Sequence, residues 1–250
     1  MSLTEDQINQ FLTNGYLVLD SFLDKIELEE FKEECDNILQ YIKHKNLDVI
    51  RDLGCIIEPW IIYFTKLIDQ STLQSYNNYK VDINDFENLR AWGSEFNLVE
   101  FIKKRIINLV KGLFLNVNDS CKEVYLFNEQ YIVKPSDIAT KFQLHKDSEH
   151  LPNYCKKVFN LAVWINLDAI NESSGYFNFA SLNNPQAITQ LKLPPGSIVL
   201  IHSECPHYSD PNNSNSLRRA YMLQLTQKPL YYEENDNLNE LISMGVKIKF

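Results

Sequence analysis

The chain has no apolar run long enough to cross a bilayer, so nothing in it reads as a transmembrane helix. Its opening, Met1-Ser2-Leu3-Thr4-Glu5-Asp6, lacks the basic region and apolar stretch of a secretory signal. Cysteine pattern is absent too. The five cysteines (Cys35, Cys55, Cys121, Cys155, Cys205) are odd in number, irregularly spaced and never C-x-x-C. Free thiols in a reducing, intracellular and cytoplasmic setting are the simplest account. Positive charge is also scarce: 24 Lys and Arg stand against 33 Asp and Glu, a formal net charge of −9. That balance argues against the basic footprint of a nucleic-acid binder and against adhesion to anionic membrane. The partner left to expect is a small molecule, and the oligomeric state is not legible. No internal repeat, low-complexity tract or linker divides the 250 residues, which are read as one domain with ample length for a core.

What is present divides into a helical and a β part. Thr4 to Gln7 is a capping box, followed by Ile8, Phe11 and Leu12 at helical spacing and by Gly15 at the place of a helix-ending glycine. Tyr16 to Asp20 reads as a short strand. Asp24 opens a second helix with Leu28, Phe31, Cys35, Ile38, Leu39 and Ile42 on one stripe. Its acidic residues Glu29, Glu30, Glu33, Glu34 and Asp36 read as a solvated face. The stretch 55–64 is apolar but interrupted by Pro59, and 70–86 is polar and reads as loop. Phe96 to Leu115 spaces Leu98, Phe101, Ile102, Ile106, Leu109, Val110 and Leu113 as the inward face of a long helix. After Asn116 come seven short runs rich in β-branched and aromatic residues, at 123–128, 130–134, 141–147, 158–167, 176–179, 197–203 and 219–227. The expected fold is mainly β with flanking helices: a sandwich or jelly roll over 116–230, a mainly helical support over 1–115 buttressing one sheet, and a C-terminal extension over 231–250.

One stretch carries chemistry. Phe142-Gln143-Leu144-His145-Lys146-Asp147 alternates apolar and polar residues like a strand, and on a strand His145 and Asp147 share a face. An imidazole and a carboxylate together make two thirds of the facial triad of non-haem Fe(II) oxygenases. Three such ligands fill one face of an octahedron and leave three positions open. A lone His-x-Asp is equally the mark of a satisfied histidine at a strand edge, so the third ligand has to come from elsewhere.

The region after Pro195-Gly196 offers it. Ser197 to Ile201 reads as a buried strand that delivers His202 and then His207-Tyr208-Ser209-Asp210-Pro211-Asn212, with Arg218 eleven residues past His207. Taken with His145-x-Asp147 and with the opening Phe11-Leu12-Thr13-Asn14-Gly15-Tyr16, this pattern resembles the phytanoyl-CoA dioxygenase family. The resemblance implies a double-stranded β-helix of the cupin-like jelly-roll kind and an Fe(II)/2-oxoglutarate-dependent dioxygenase that uses O₂ to hydroxylate a small organic molecule, releasing succinate and CO₂. It implies His145, Asp147 and His207 as iron ligands. It implies Arg218 as the partner of the distal 2-oxoglutarate carboxylate, assisted by the Ser209 hydroxyl. The chemistry agrees, since a guanidinium fork fits a carboxylate and stays charged when buried.

Gln130, Lys134 and Trp164 stand on strands beside the His-x-Asp strand and are candidates to line the cosubstrate pocket, while His150 and His202 are candidates for the substrate side. His202 also reads as a packed residue, because the resemblance places the ligand just before Ser209. His44, in a Lys-His-Lys run, reads as surface. Two departures from the family pattern set the substrate apart. Phe179-Ala180-Ser181-Leu182-Asn183 replaces a Pro-Gly-Ser-His turn, and Tyr208 and Asp210 replace small residues. No basic cluster for a coenzyme A phosphate is evident, so the family's acyl-CoA substrate is not carried over. The alternatives are a non-catalytic cupin-like metal or ligand binder, in which a cosubstrate clamp has no purpose, and an oxygenase of a protein side chain. A halogenase on the same fold would lack the carboxylate, and Asp147 is present.

Overall fold

In the computed structural model, residues 1–48, 50, 55–59, 97–136, 140–234 and 237–250 are described. The expectations for 60–96, including half of the apolar stretch and the whole polar loop, lie outside them. Helix α1 (Glu5–Asn14) starts on the Thr4–Gln7 capping box and ends at Gly15, whose φ of 81° is the left-handed conformation glycine takes without strain. Strand β1 (Tyr16–Leu19) follows. Helix α2 (Lys25–Lys45) begins on a second capping box, Asp24 with Glu27. After the short β2 (Ile56–Ile57), the segments Leu98–Phe101, Ile102–Ile106 and Ile107–Val117 run on as one helix, α3, with its second segment wound in π. All seven residues expected on its inward face are buried.

The β part is two antiparallel sheets. The major sheet orders as β1, β8 (Ile198–His202), β5 (Asn160–Asn166), β10 (Arg218–Thr226), β3 (Glu123–Lys134) and β13 (Val246–Lys249), with β2 paired to β3 as well. The minor sheet orders as β4 (Phe142–His145), β9 (His207–Ser209), β6 (Phe177–Ala180) and β7 (Ile188–Leu191). A separate hairpin joins β11 (Tyr231–Glu234) to β12 (Asn237–Leu241). This is the jelly roll expected from the strand pattern. The major sheet extends past the expected core boundary at 230, because β13 pairs with β3 along Val124 and Leu126.

Period-two alternation gives each strand of the major sheet two faces. One face, with Leu161, Val163, Leu200, Tyr221 and Leu223, packs in a single core with Phe11, Phe31 and the inward residues of α3. The helical part therefore buttresses one sheet, as the sequence suggests. The other face carries Ile132, Ala162, Trp164, Ile201 and Ala220 and meets Phe177 and Phe179 of the minor sheet. The space between the sheets holds the candidate site.

Two expectations are corrected here. The acidic face of α2 is not wholly solvated: Glu34 is buried and accepts a 2.5 Å hydrogen bond from the Tyr131 hydroxyl, and Asp36 pairs with Arg219. Both partners come from distant strands, which helical periodicity cannot anticipate. The expected strands 123–128 and 130–134 are one strand with a bulge. Partners of β10 skip from Asn128 to Leu126, leaving Phe127 as the extra residue. The bulge changes which parity faces the helices. Val124 and Leu126 do so before it, and Tyr131 and Val133 after it.

Candidate metal centre

His145 and His207 stand directly opposite each other on neighbouring strands β4 and β9. A register shift between Phe142 and His145 inserts one extra residue into β4, so Phe142 and His145 both align with the inward positions Ser209 and His207. This corrects the simple alternation expected for Phe142 to Asp147. Leu144, which alternation would turn inward with Phe142, is exposed. The strand also ends at His145, and Asp147 opens a 3₁₀ turn, Asp147–His150. The pair therefore meets through a bulge and a turn, not through the i, i+2 rule.

The convergence holds nonetheless. Donor atoms of His145, Asp147 and His207 all lie within 4.8 Å of one another. Asp147 Oδ1 is 3.8 Å from His145 Nε2 and 3.6 Å from His207 Nε2. These separations are too long for hydrogen bonds. Donors ~2.1 Å from one shared ion lie roughly 3–4 Å apart. Each imidazole is also oriented from behind. His145 Nδ1 donates to Gln143 O at 2.7 Å, and His207 Nδ1 donates to Cys205 O at 3.0 Å. A carbonyl only accepts, so Nδ1 carries the proton and the Nε2 lone pair is left for a cation. Burial holds the His207 imidazole below its ordinary pKa, which keeps it neutral. Two imidazoles and one carboxylate with open positions are the donor set of a non-haem Fe(II) site, so the residues fit that ion. The buried Cys205 thiol donates to Ala180 O at 3.5 Å. Burial first, then the Asp147 charge, pushes its thiol up to about 12.

The triad faces a cavity of about 600 Å³. Gln130, Trp164, Ser209 and His150 line it, as the sequence reading expects, with exposed His150 at the rim, 6.0 Å between its ring and that of His145. Lys134 and Arg218 sit just behind the wall. They are cross-strand partners on β3 and β10, and both are buried. Lys134 Nζ donates to Ser209 Oγ at 2.7 Å and to the carbonyls of Ser209 and Asp210. Arg218 Nη1 donates to Ser174 O and Gly175 O, while Nη2 is buried with no partner among the described residues. An unpaired buried guanidinium nitrogen is costly unless an acceptor arrives. Ser209, whose oxygen accepts from Lys134, still has its own proton to give. A carboxylate oxygen is an acceptor suited to either donor. Burial, then the Arg218 charge, pulls Lys134 down to about 7, and burial pulls Arg218 to about 10.

Arg219 faces the other way, as alternation requires. Its Nε and Nη2 donate to the two Asp168 oxygens at 2.8 and 3.0 Å, and its Nη1 donates to Asp36 at 2.7 Å. His202 is a correction as a pocket candidate. It does not line the cavity, because it follows inward-facing Ile201 and so turns to the helical side, its ring packing on Phe11 and Phe159. Sequence reading missed two residues at the site. Gln224 Nε2 donates to Asp147 Oδ2 at 3.1 Å, and Asn128 Nδ2 donates to Gln224 Oε1 at 3.4 Å.

A family model described as phytanoyl-CoA dioxygenase (PhyH) matches residues 11–179. No curated protein matches by sequence. Among solved structures, the chain is similar to the non-haem α-ketoglutarate-dependent carbocyclase SnoK of nogalamycin biosynthesis, at 14% identity and TM-score 0.61, covering 92% of this chain and 86% of that one. AviO1 from Streptomyces viridochromogenes Tue57 is similar at 12% identity and TM-score 0.60, with 90% and 96% covered. EctD from S. alaskensis, solved with 2-oxoglutarate and 5-hydroxyectoine, is similar at 14% identity and TM-score 0.60, with 90% and 76% covered. At such identities the likeness is one of fold.

Proposed function

The chain belongs to the phytanoyl-CoA dioxygenase family, and from that membership we propose that His145, Asp147 and His207 hold its Fe(II) while Arg218 and Ser209 hold the distal carboxylate of 2-oxoglutarate. The enzyme is an oxygenase that depends on Fe(II) and 2-oxoglutarate. When bound, the ion with 2-oxoglutarate and O₂ supplies the oxidation of a substrate C–H bond, coupled to release of succinate and CO₂. The convergence of three donor atoms within 4.8 Å at a cavity wall carries the assignment.

The protein's part is placement and charge. Backbone carbonyls behind His145 and His207 aim both Nε2 atoms before any ion arrives, so little ordering remains to be done on binding. Arg218 puts a cation behind one end of the cavity, against which a dianionic cosubstrate aligns, and the bound dianion favours the charged form of Lys134 beside it. Trp164 and Phe177, with ring centroids 4.6 Å apart, form an apolar wall there and help keep water from the reacting atoms.

The remainder of the cavity is read as the substrate's. Among the described lining residues, Asp147 is the only acidic one and Lys141 the only Lys or Arg. An acyl-CoA with its several phosphates finds no matching charge among the described lining residues. Asn160 lines this space, is buried, and its side-chain carbonyl has no partner among the described residues. The reading is hydroxylation of a small, uncharged organic molecule with a donor group for that amide. We read residues 1–250 as one such domain. The test is anaerobic loading with Fe(II) followed by O₂ and 2-oxoglutarate. Succinate formed in step with 2-oxoglutarate loss supports the reading, and a metal-loaded protein that forms none refutes it.

A further inference from the structure

Asp147 has two oxygens with different surroundings. Oδ1 faces both imidazole Nε2 atoms. Oδ2 accepts from Gln224 Nε2 at 3.1 Å. The orientation of that amide is settled from both ends. Asn128 Oδ1 accepts from the Glu129 backbone N–H at 2.9 Å, so Asn128 Nδ2 is the group left to point at Gln224. Gln224 Oε1 accepts it, which turns Gln224 Nε2 to the carboxylate. The carboxylate only accepts, so the sense of the chain is the same read from Asp147 backwards.

The backbone builds this relay. Asn128 and Gln224 are register partners on β3 and β10, and the register shift falls immediately beyond them, between Gln224 and Leu225. The bulge expels Phe127 into a separate apolar cluster with Leu151 and Leu230 and brings Asn128 to the cavity face beside Gln224. Both amides line the cavity, yet each is committed to a protein partner.

We propose that Gln224, oriented by Asn128, is a positioning residue that pins Asp147 Oδ2 and keeps the carboxylate a one-oxygen ligand. The proposal rests on the iron reading above. A carboxylate with Oδ2 free turns to offer both oxygens to a divalent ion, and the second oxygen takes a position a chelating 2-oxo acid needs. A neutral amide suits the task, since it holds Oδ2 without adding charge at the ion. Gln224 thus governs 2-oxoglutarate binding at the metal without touching either.

The test is an anaerobic titration of the Fe(II)-loaded protein with 2-oxoglutarate, followed by the visible charge-transfer band of the chelated 2-oxo acid, for the native protein and Gln224→Leu. The expected result is that Gln224→Leu retains Fe(II) but needs about tenfold or more 2-oxoglutarate to develop the band, the range seen for groups that orient metal ligands. Asn128→Ala, which leaves the Gln224 amide free to turn, is expected to give a smaller shift in the same direction. It carries the test if Gln224→Leu does not fold. Titrations within twofold of the native protein overturn the proposal. So does a variant that loses metal while its metal-saturated form binds 2-oxoglutarate normally. A native protein that gives no band defeats the iron and 2-oxoglutarate reading itself, which separates the two failures.

Discussion

Neighbouring arginines on one strand offer a clean separation of function from stability. Arg218 and Arg219 are chemically identical and adjacent, yet alternation sends one to the cavity side and the other to the helical side. Arg218→Ala removes a guanidinium whose Nη1 is paired with Ser174 O and Gly175 O and whose Nη2 is buried and unpaired among the described residues. In the empty protein the losses partly cancel. Two carbonyls lose a donor, but a half-paired buried cation beside Lys134 also disappears. In the complex nothing cancels, because the distal carboxylate of 2-oxoglutarate is left without its main partner. Breaking a buried ion pair from one side costs about 3–5 kcal/mol, or roughly 10²- to 10³-fold at 1.4 kcal/mol per decade. Lys134, relieved of its neighbour's repulsion, recovers charge and favours the lower end.

Arg219→Ala breaks a two-pronged pair with Asp168 and a single contact with Asp36. The Asp168 pair is half-buried and worth about 1.5–3 kcal/mol. The Asp36 side chain is 46% exposed, so its share is about 1 kcal/mol or less. At about 2–4 °C per kcal/mol for a chain of this size, Tm falls by roughly 3–15 °C. The assay is succinate formation against 2-oxoglutarate concentration, with thermal melting of the same samples. Arg218→Ala is expected to raise the KM for 2-oxoglutarate by at least 10²-fold, and Arg219→Ala to lower Tm while changing that KM by less than about fivefold. The reverse ordering, or two small and equal effects on KM, refutes the strand register or the clamp.

Alanine at His145, Asp147 or His207 is expected to abolish turnover and weaken Fe(II) binding, whereas His202→Ala retains metal. Metal content after dialysis checks this, and loss of metal from His202→Ala with retention by His207→Ala refutes the ligand choice. Lys134 gives a pH signature. Its ordinary pKa of 10.5 falls to about 7 in the empty site, so between these values the unfolded chain holds more protons and stability rises with pH. A bound dianion favours the charged form, so 2-oxoglutarate binding near pH 8 is expected to take up a fraction of a proton. Calorimetry in buffers of different ionisation enthalpy reads that uptake, and buffer-independent heats would refute it. Gly175→Ala places a Cβ 2.3 Å from Pro211 O and 2.6 Å from Asp210 O at a φ of +84°. The strain and clash cost at least about 3 kcal/mol, so a melting curve within about 2 °C of the native one would show that the loop yields.

Legibility followed the range of the interactions involved. Helices α1 and α2 are readable because their capping boxes and apolar stripes are local. So are β5 and β8, which are runs of apolar residues bounded by turns. Strand β7, with its first three residues exposed, has no alternation to read, and β9 is three residues long. The burial of Glu34 depends on Tyr131, 97 positions away. No window of sequence contains that pair, and the acidic run of α2 is indistinguishable from a solvated face until the sheet packs on it.

The metal centre was legible for a different reason than its geometry gives. His145 and Asp147 do not share a strand face, and the bulge in β4 and the 3₁₀ turn do the work assigned to alternation. Their residue types drew the eye, but the full ligand set with His207 came from the family resemblance, which does not depend on how the two side chains are brought together. Register is where more was available. Once Arg218 is turned to the cavity, period two places Ala220, Met222 and Gln224 on that same face. The observed pairing then brings Gln130 opposite Met222 and Asn128 opposite Gln224. Gln224 was therefore implied by the arginine, six residues upstream on the same strand. What the sequence could not supply was its role. That depends on the β3 bulge, which sets Asn128 beside it, and on the turn that brings Asp147 Oδ2 within 3.1 Å. A strand's face follows from one well-placed residue. A hydrogen-bonded relay across two strands and a turn needs every register to be known.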